Sequence, residues 1–199
     1  YIPRMLGATY PYTLTGGTIE LAGTGTNGFQ TLRGTNGTAR PAFYNLKFSN
    51  DNILGTNYKD ISSSTAVNGN ITLADKAIVD AKVNYLGGSG TTFTMTETSR
   101  YITAGTGTKP DATGAYTLVT GTTVEFNNIE STEEVIRLSP DYFKIVVSGS
   151  SVANSSLTST PINIQAGGKF TVTNTGVFKH NNVNGFSGAT NTTISTTNN

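Results

Sequence analysis

Few residues of this chain have the chemistry of a catalytic or metal site. The sequence contains one histidine, His180, and no cysteine. Because zinc sites in proteins are built from several histidine or cysteine ligands, this content argues against a zinc centre. We therefore expect His180 to be an exposed structural residue rather than a catalytic or metal-binding one.

Paired carboxylates are the catalytic groups that a polysaccharide-cleaving enzyme would need. Glu20 and Glu125 occupy the same position in two similar segments, T-I-E-L and T-V-E-F. With stacked strands about 4.8 Å apart, four or five coils would separate the two residues by roughly 20 Å. Glycosidase carboxyl pairs lie only about 5 to 10 Å apart. We therefore predict that both glutamates point outward, in solvent, and do not form a catalytic pair.

One acidic cluster could hold a cation. It consists of Glu130, Glu133 and Glu134, with Asp141 nearby in the sequence. Carboxylate oxygens suit Ca²⁺, but the D-x-D-x-D-G spacing of a calcium loop is absent. Whether the cluster binds a cation is therefore an open question at the sequence level.

Aromatic side chains allow two interpretations. Exposed tyrosines such as Tyr10 and Tyr58 could stack on sugars, whereas aromatic residues in a repeat more often stack inside the protein. We favour the internal arrangement. The residues that we expect to form such a ladder are Phe43, Tyr44, Tyr142 and Phe143.

These side chains must be positioned by short strands, and the strands recur. Residues 67–79 and 168–178 both read as a glycine turn followed by a strand with alternating apolar residues. The apolar positions are Ile71 and Leu73 in one segment and Phe170 and Val172 in the other. Five such blocks recur in the same order about 100 residues apart, as expected of a repeat protein. The chain thus consists of two repeats, about 1–100 and 101–199, and looks like a fragment of a longer protein.

Two all-β architectures fit a repeat of this length. Coils of roughly 20 to 25 residues would form a right-handed parallel β-helix, and tandem immunoglobulin-like sandwiches are the alternative. The seam between the repeats has neither Pro nor Gly, and the strands are short and separated by Gly/Asn corners. We therefore predict one continuous β-solenoid over residues 1–199. Residues 131–138 are the one candidate helix, of one or two turns.

Composition excludes several classes of function. The net charge is +1 and charged residues make up 13% of the chain, without a cluster of Lys or Arg. A nucleic-acid partner is therefore not expected. No apolar stretch is long enough for a transmembrane helix.

The motifs together resemble those of a known group of proteins. G-T-x-E-Φ, an aromatic pair leading into Φ-x-Φ-S, and N-G-N-I-T-L resemble repeat regions of large Bacteroidetes cell-surface proteins. Those proteins are exported by the type IX secretion system, and some are similar to gliding-motility adhesins. The resemblance implies an extracellular, outer-membrane-associated protein that acts in cell adhesion. It also implies the export machinery as a partner, with a surface polysaccharide or another surface protein as ligand.

The expected function is therefore a non-catalytic adhesin segment or rigid stalk without a cofactor. The alternative is a carbohydrate-active β-helix enzyme or a glycan-binding module. Several carboxylates on adjacent coils of one face would favour the enzyme.

Overall fold

The chain consists of short strands joined by corners. A computed structural model describes residues 14–22, 29–32, 42–50, 58–74, 76–127, 133–149, 152–155, 160–173, 176–179, 185–188 and 193–197. In chain order the strands are β1 (Thr18–Ala22), β2 (Phe29–Leu32), β3 (Ala42–Phe43), β4 (Asn45–Ser49), β5 (Tyr58–Ile61), β6 (Thr65–Val67), β7 (Asn70–Leu73), β8 (Ile78–Asp80), β9 (Leu86–Gly87), β10 (Thr92–Met95), β11 (Arg100–Thr103), β12 (Gly107–Lys109), β13 (Tyr116–Leu118), β14 (Thr123–Phe126), β15 (Glu133–Ile136), β16 (Tyr142–Val147), β17 (Val152–Ser155), β18 (Ile162–Thr173), β19 (Val177–Lys179), β20 (Phe186–Gly188) and β21 (Thr193–Thr197).

The strands form four parallel sheets. The five-stranded sheet has the order β1-β4-β7-β10-β13, and the nine-stranded sheet runs β2-β5-β8-β11-β14-β16-β18, with β20 and β21 both pairing with β18. Two smaller sheets, β3-β6-β9 and β12-β15-β17-β19, complete the set. Since the chain returns to the same sheet in parallel after visiting the others, the fold is a parallel β-helix. This confirms the predicted solenoid and excludes tandem sandwiches.

The length of one coil follows from the register between rungs, a rung being one strand in a stacked sheet. Thr92 and Asn70, joined by a side-chain hydrogen bond on neighbouring rungs, are 22 residues apart in the chain. Val146 and Glu125, which are in register, are 21 residues apart, and the first coil is longer, with 27 residues between the in-register pair Lys47 and Glu20. The predicted coil of 20 to 25 residues is thus confirmed for most of the stack.

Alternate residues of each strand point into one continuous core. In the five-stranded sheet Ile71 lies in register with Phe93, and Leu73 with Met95, and all four side chains are fully buried. A single hydrophobic cluster extends from Leu21 to Phe170. Burial of a side chain of this size contributes about 1.5–3 kcal/mol. The column of such residues is therefore what holds successive coils together.

The stack passes from one sequence repeat into the next without a joint. Strand β11, which begins at Arg100, pairs in parallel with β8 before it and β14 after it. In the five-stranded sheet Phe93 pairs with Tyr116 across the same seam. The two repeats therefore share one core.

Equivalent strands of the two repeats lie in different sheets of the solenoid. Phe48 of β4 and Val147 of β16 are equivalent in the repeat and 99 positions apart in the chain. Phe48 pairs with Leu73 in the five-stranded sheet, whereas Val147 pairs with Val172 in the nine-stranded sheet. Since a coil takes about 20 to 25 residues, the repeat is four coils plus one further face. The second copy is consequently rotated about the solenoid axis.

A glycine keeps the same close contact in both copies. A Cβ on Gly69 would lie 2.7 Å from the carbonyl oxygen of Tyr44, and one on Gly168 would lie closer still to the carbonyl oxygen of Phe143. Tyr44 and Phe143 are themselves equivalent in the repeat. Glycine is thus required where the corner of one rung presses on the backbone of the rung before it.

The prediction of a helix over residues 131–138 is wrong. Residues Glu133–Ile136 form strand β15, which pairs with β12 and β17, and residues 131 and 132 lie outside the described part. Strand pairing on both sides overrides the weak local helical preference of this segment. The described residues contain no helix long and apolar enough to cross a membrane.

Only two of the four residues predicted to form an internal aromatic ladder lie in the core. Phe43 and Tyr142 are fully buried, but Tyr44 is 43% exposed and Phe143 is partly exposed. Tyr142 and Phe143 are adjacent on β16 and therefore point to opposite sides. Tyr44 lies at the bend between β3 and β4.

Candidate functional site

Among the described residues, more charged side chains lie on the outer face of the nine-stranded sheet than on any other sheet. Tyr101, Val124 and Ile145 point into the core from successive rungs. Their neighbours on each strand must therefore face outward. Two rows of outward residues result. The first row is Arg100, Thr123, Lys144 and Lys169, and the second is Asp60, Asp80, Ile102, Glu125, Val146 and Thr171.

A groove of about 620 Å³ crosses these rows from β11 to β18. Its charged lining residues are Arg100, Glu125 and Lys144. The uncharged polar ones are Thr123, Asn127, Ser148, Thr171 and Thr173. Val146 is the only large apolar side chain in the lining, and none of the lining residues is aromatic. The groove therefore offers hydrogen bonds and charge rather than an apolar surface. We call it the charged groove.

Glu125 is fixed at the floor of the charged groove. It is only 4% exposed, pairs with Arg100 of the preceding rung and accepts a hydrogen bond of 2.6 Å from the Ser148 hydroxyl. The prediction that Glu125 lies in solvent is wrong. Alternation does turn its side chain away from the core, but Arg100 and the next rung cover it.

Glu20 makes the same contact in the first repeat, but at the surface. The Ser49 hydroxyl donates to Glu20 at 2.6 Å, and Lys47 forms an ion pair with Glu20 at 3.0 Å. The Ser49 hydrogen bond and the Lys47 ammonium lower the pKa of Glu20. Glu20 and Glu125 lie in different sheets, although they occupy the same position in the two repeats. Their separation into different sheets gives no support to a catalytic pair.

Asp60 and Asp80 form a carboxylate pair that the sequence did not indicate. They are in register on adjacent rungs of the nine-stranded sheet, which places their Cα atoms about 4.8 Å apart. Lys82 connects them: its ammonium lies 2.7 Å from Asp60 Oδ1, and its backbone N–H donates to Asp80 Oδ1 at 3.0 Å. Burial raises the pKa of Asp80 despite these contacts. Burial thus favours the protonated form of Asp80.

The predicted acidic cluster does not come together as a site. Glu133 is exposed and pairs with Lys179, whereas Glu134 is buried on the other side of β15. Glu130 and His180 lie outside the described residues. Within the described part of the chain, no group of three or more His, Cys, Asp or Glu residues could hold a metal ion.

A second buried ion pair stabilises a corner of the solenoid. Lys109 lies 2.9 Å from Asp111, and both side chains are almost fully buried. Asp111 also accepts a hydrogen bond of 3.2 Å from the backbone N–H of Leu86 on the preceding coil. These contacts satisfy the polar groups that the corner buries, so we assign the pair a structural role.

Sequence reasoning missed Lys144, Lys169 and the Asp60/Asp80 pair. The signal that would have found them is the register: each pair is separated by one coil. That spacing varies from coil to coil and could not be read from the strands alone.

Comparison with known proteins gives no match among protein-family models, curated proteins or solved structures.

Proposed function

We propose that this chain is a segment of an extracellular, repetitive surface protein that acts as an adhesin or as a rigid stalk carrying one. The observation that carries the proposal is the unbroken stack, in which one hydrophobic cluster runs from Leu21 to Phe170 across both repeats. Adding coils lengthens such a rod, and each coil covers the strand edges of the one before it. The resemblance of the repeat motifs to type IX-exported Bacteroidetes surface proteins supports a location outside the outer membrane.

Two experiments test this function. Small-angle X-ray scattering of the purified chain should give the profile of a stiff rod, and a profile of two beads on a linker would contradict a stalk. Antibody raised against the chain should label intact cells that produce the parent protein. Labelling should disappear when the type IX export machinery is deleted, and unchanged labelling would contradict the export route.

The second candidate function is that of a carbohydrate-active enzyme, and the Asp60/Asp80 pair favours it. Retaining glycosidases hold two carboxyl groups about 5–5.5 Å apart, one as the acid and the other as the nucleophile. Asp80, whose pKa is raised by burial, has the character of the acid. Asp60, with the Lys82 ammonium at 2.7 Å, would take the place of the nucleophile.

Release of reducing ends from a panel of surface polysaccharides tests the enzyme. The wild-type chain should release them, and Asp80→Asn should abolish release because it removes the acidic proton. Asp141→Asn serves as the control, since Asp141 is exposed and lies away from the pair. No release by the wild-type chain, or equal release by Asp80→Asn, would contradict catalysis at this pair.

A further inference from the structure

Two lysines of the nine-stranded sheet lie side by side on adjacent strands and repel one another. Lys144 of β16 and Lys169 of β18 are in register on adjacent rungs and both side chains face outward. Like charges directly opposite on neighbouring strands are destabilising. Neither lysine forms an ion pair with any residue that the structure describes. The pair is therefore a place where an external anion would be favourable.

The other charges of the charged groove do not relieve this repulsion. Arg100 and Glu125 neutralise one another. Asp80, on the rung before Arg100, lies three rungs from Lys144, or about 14 Å at the usual strand spacing. Positive charge is thus concentrated at the β16 and β18 end of the groove.

The rest of the lining indicates what kind of anion fits. The hydroxyl groups of Thr123, Thr171 and Thr173 line the groove together with Lys144. Since no lining residue is aromatic, the groove lacks the stacking surface on which neutral sugars usually bind. A ligand that combines carboxylates with many hydroxyl groups matches this lining.

We propose that the charged groove binds a carboxylate-bearing polysaccharide. A uronic-acid carboxylate would lie between Lys144, which lines the groove, and Lys169, its in-register neighbour on β18 beside the groove, with sugar hydroxyls on the threonines. The groove is open and crosses four rungs, about 14 Å in all, which suits a linear polymer. Because Arg100 is paired with Glu125, only Lys144 and Lys169 of the described side chains around the groove are left to attract the ligand. This suits a polymer with one carboxylate per sugar better than a heavily sulfated one. The proposal names a ligand class for the adhesive function proposed above and depends on that function only for its biological setting.

Binding of fluorescent oligogalacturonate to the full chain, followed by fluorescence anisotropy, tests the site. The matched ligand control is the same oligosaccharide after chemical reduction of its carboxyl groups, which we expect not to bind. Each of Lys144→Gln and Lys169→Gln should weaken binding about fivefold, and the double variant about 25-fold, as expected for exposed ion pairs. Added salt should weaken wild-type binding because it screens these charges.

Lys76→Gln is the matched protein control. Lys76 is an exposed lysine at a corner, outside the charged groove and outside the row that contains Lys144 and Lys169. Its removal changes the net charge by the same amount. It should leave binding unchanged, and all variants should keep the wild-type melting temperature within a few degrees.

Three results would overturn the proposal. These are absence of oligogalacturonate binding by the wild-type chain, an equal loss in Lys76→Gln, and tighter binding of dextran sulfate or phosphatidylserine vesicles than of oligogalacturonate. Failure of this site would leave the scattering and surface-labelling results unaffected, so it can be distinguished from failure of the proposed function.

Discussion

Replacement of Gly168 by alanine is the sharpest test of how closely the rungs approach. The new Cβ would overlap the carbonyl oxygen of Phe143 and would lie 2.7 Å from Ile164 Cγ2 and 2.8 Å from the carbonyl oxygen of Gln165. Two of these three atoms belong to the backbone and cannot move without disturbing the pairing of β16 with β18. Overpacking of this kind costs about 1–3 kcal/mol of the free energy of unfolding. For a chain of this length that loss lowers the melting temperature by about 2 to 12 °C.

Thermal unfolding followed by far-UV circular dichroism measures this loss. Gly69→Ala should cause a loss of similar size, because its Cβ meets the backbone of Tyr44 in the same way. Gly16→Ala is the control: nothing lies within 4 Å of a Cβ there, so the change should stay within about 0.5 kcal/mol. If Gly168→Ala melts at the same temperature as Gly16→Ala, neighbouring rungs are not in contact as described.

Two further predictions concern the carboxylates. Glu125→Ala leaves the Ser148 hydroxyl without its acceptor in a buried site, and should lower the free energy of unfolding in urea by about 1–3 kcal/mol. The matched variant Glu20→Ala breaks the same contact at the surface and should cost less than about 1 kcal/mol; equal costs would contradict the difference in burial. Asp80 has a folded-state pKa above its unfolded value of about 3.9, so its contribution to stability is present below that value and is lost as the pH rises through the folded-state pKa. Asp80→Asn should therefore gain stability relative to the wild type as the pH rises over that window, and a pH-independent difference would contradict it.

The sequence predicted the β-helix because its local signals agree with the fold. Short segments with alternating apolar residues, such as Ile71 and Leu73, are bounded by glycine and indicate strands buried on one side. The recurrence of such segments indicates that the strands are stacked. The equivalence of residues such as Gly69 and Gly168 in the two repeats is also visible in the sequence. These features are local or periodic, and both kinds can be read without coordinates.

The sequence did not predict the candidate site, because the site depends on which sheet each strand of a coil joins. Glu20 and Glu125 are equivalent in the repeat, but a repeat of four coils plus one face moves them to different sheets. Lys144 and Lys169 become neighbours only when β16 and β18 are paired in register. The lengths of the corners decide which strands pair, and the corners are the least regular part of the sequence.

A disulfide across the seam between the repeats tests the continuous solenoid most directly. Thr94 and Thr117 belong to different repeats, face outward and are in register on adjacent rungs, about 4.8 Å apart at Cα. Because the chain has no cysteine, the double variant Thr94→Cys/Thr117→Cys should oxidise to a single intramolecular disulfide without loss of structure. Thr72 lies one rung further away, so Thr72→Cys/Thr117→Cys should stay reduced. A reduced Thr94→Cys/Thr117→Cys variant, with intact circular dichroism, would show that the two repeats are not stacked in one β-helix.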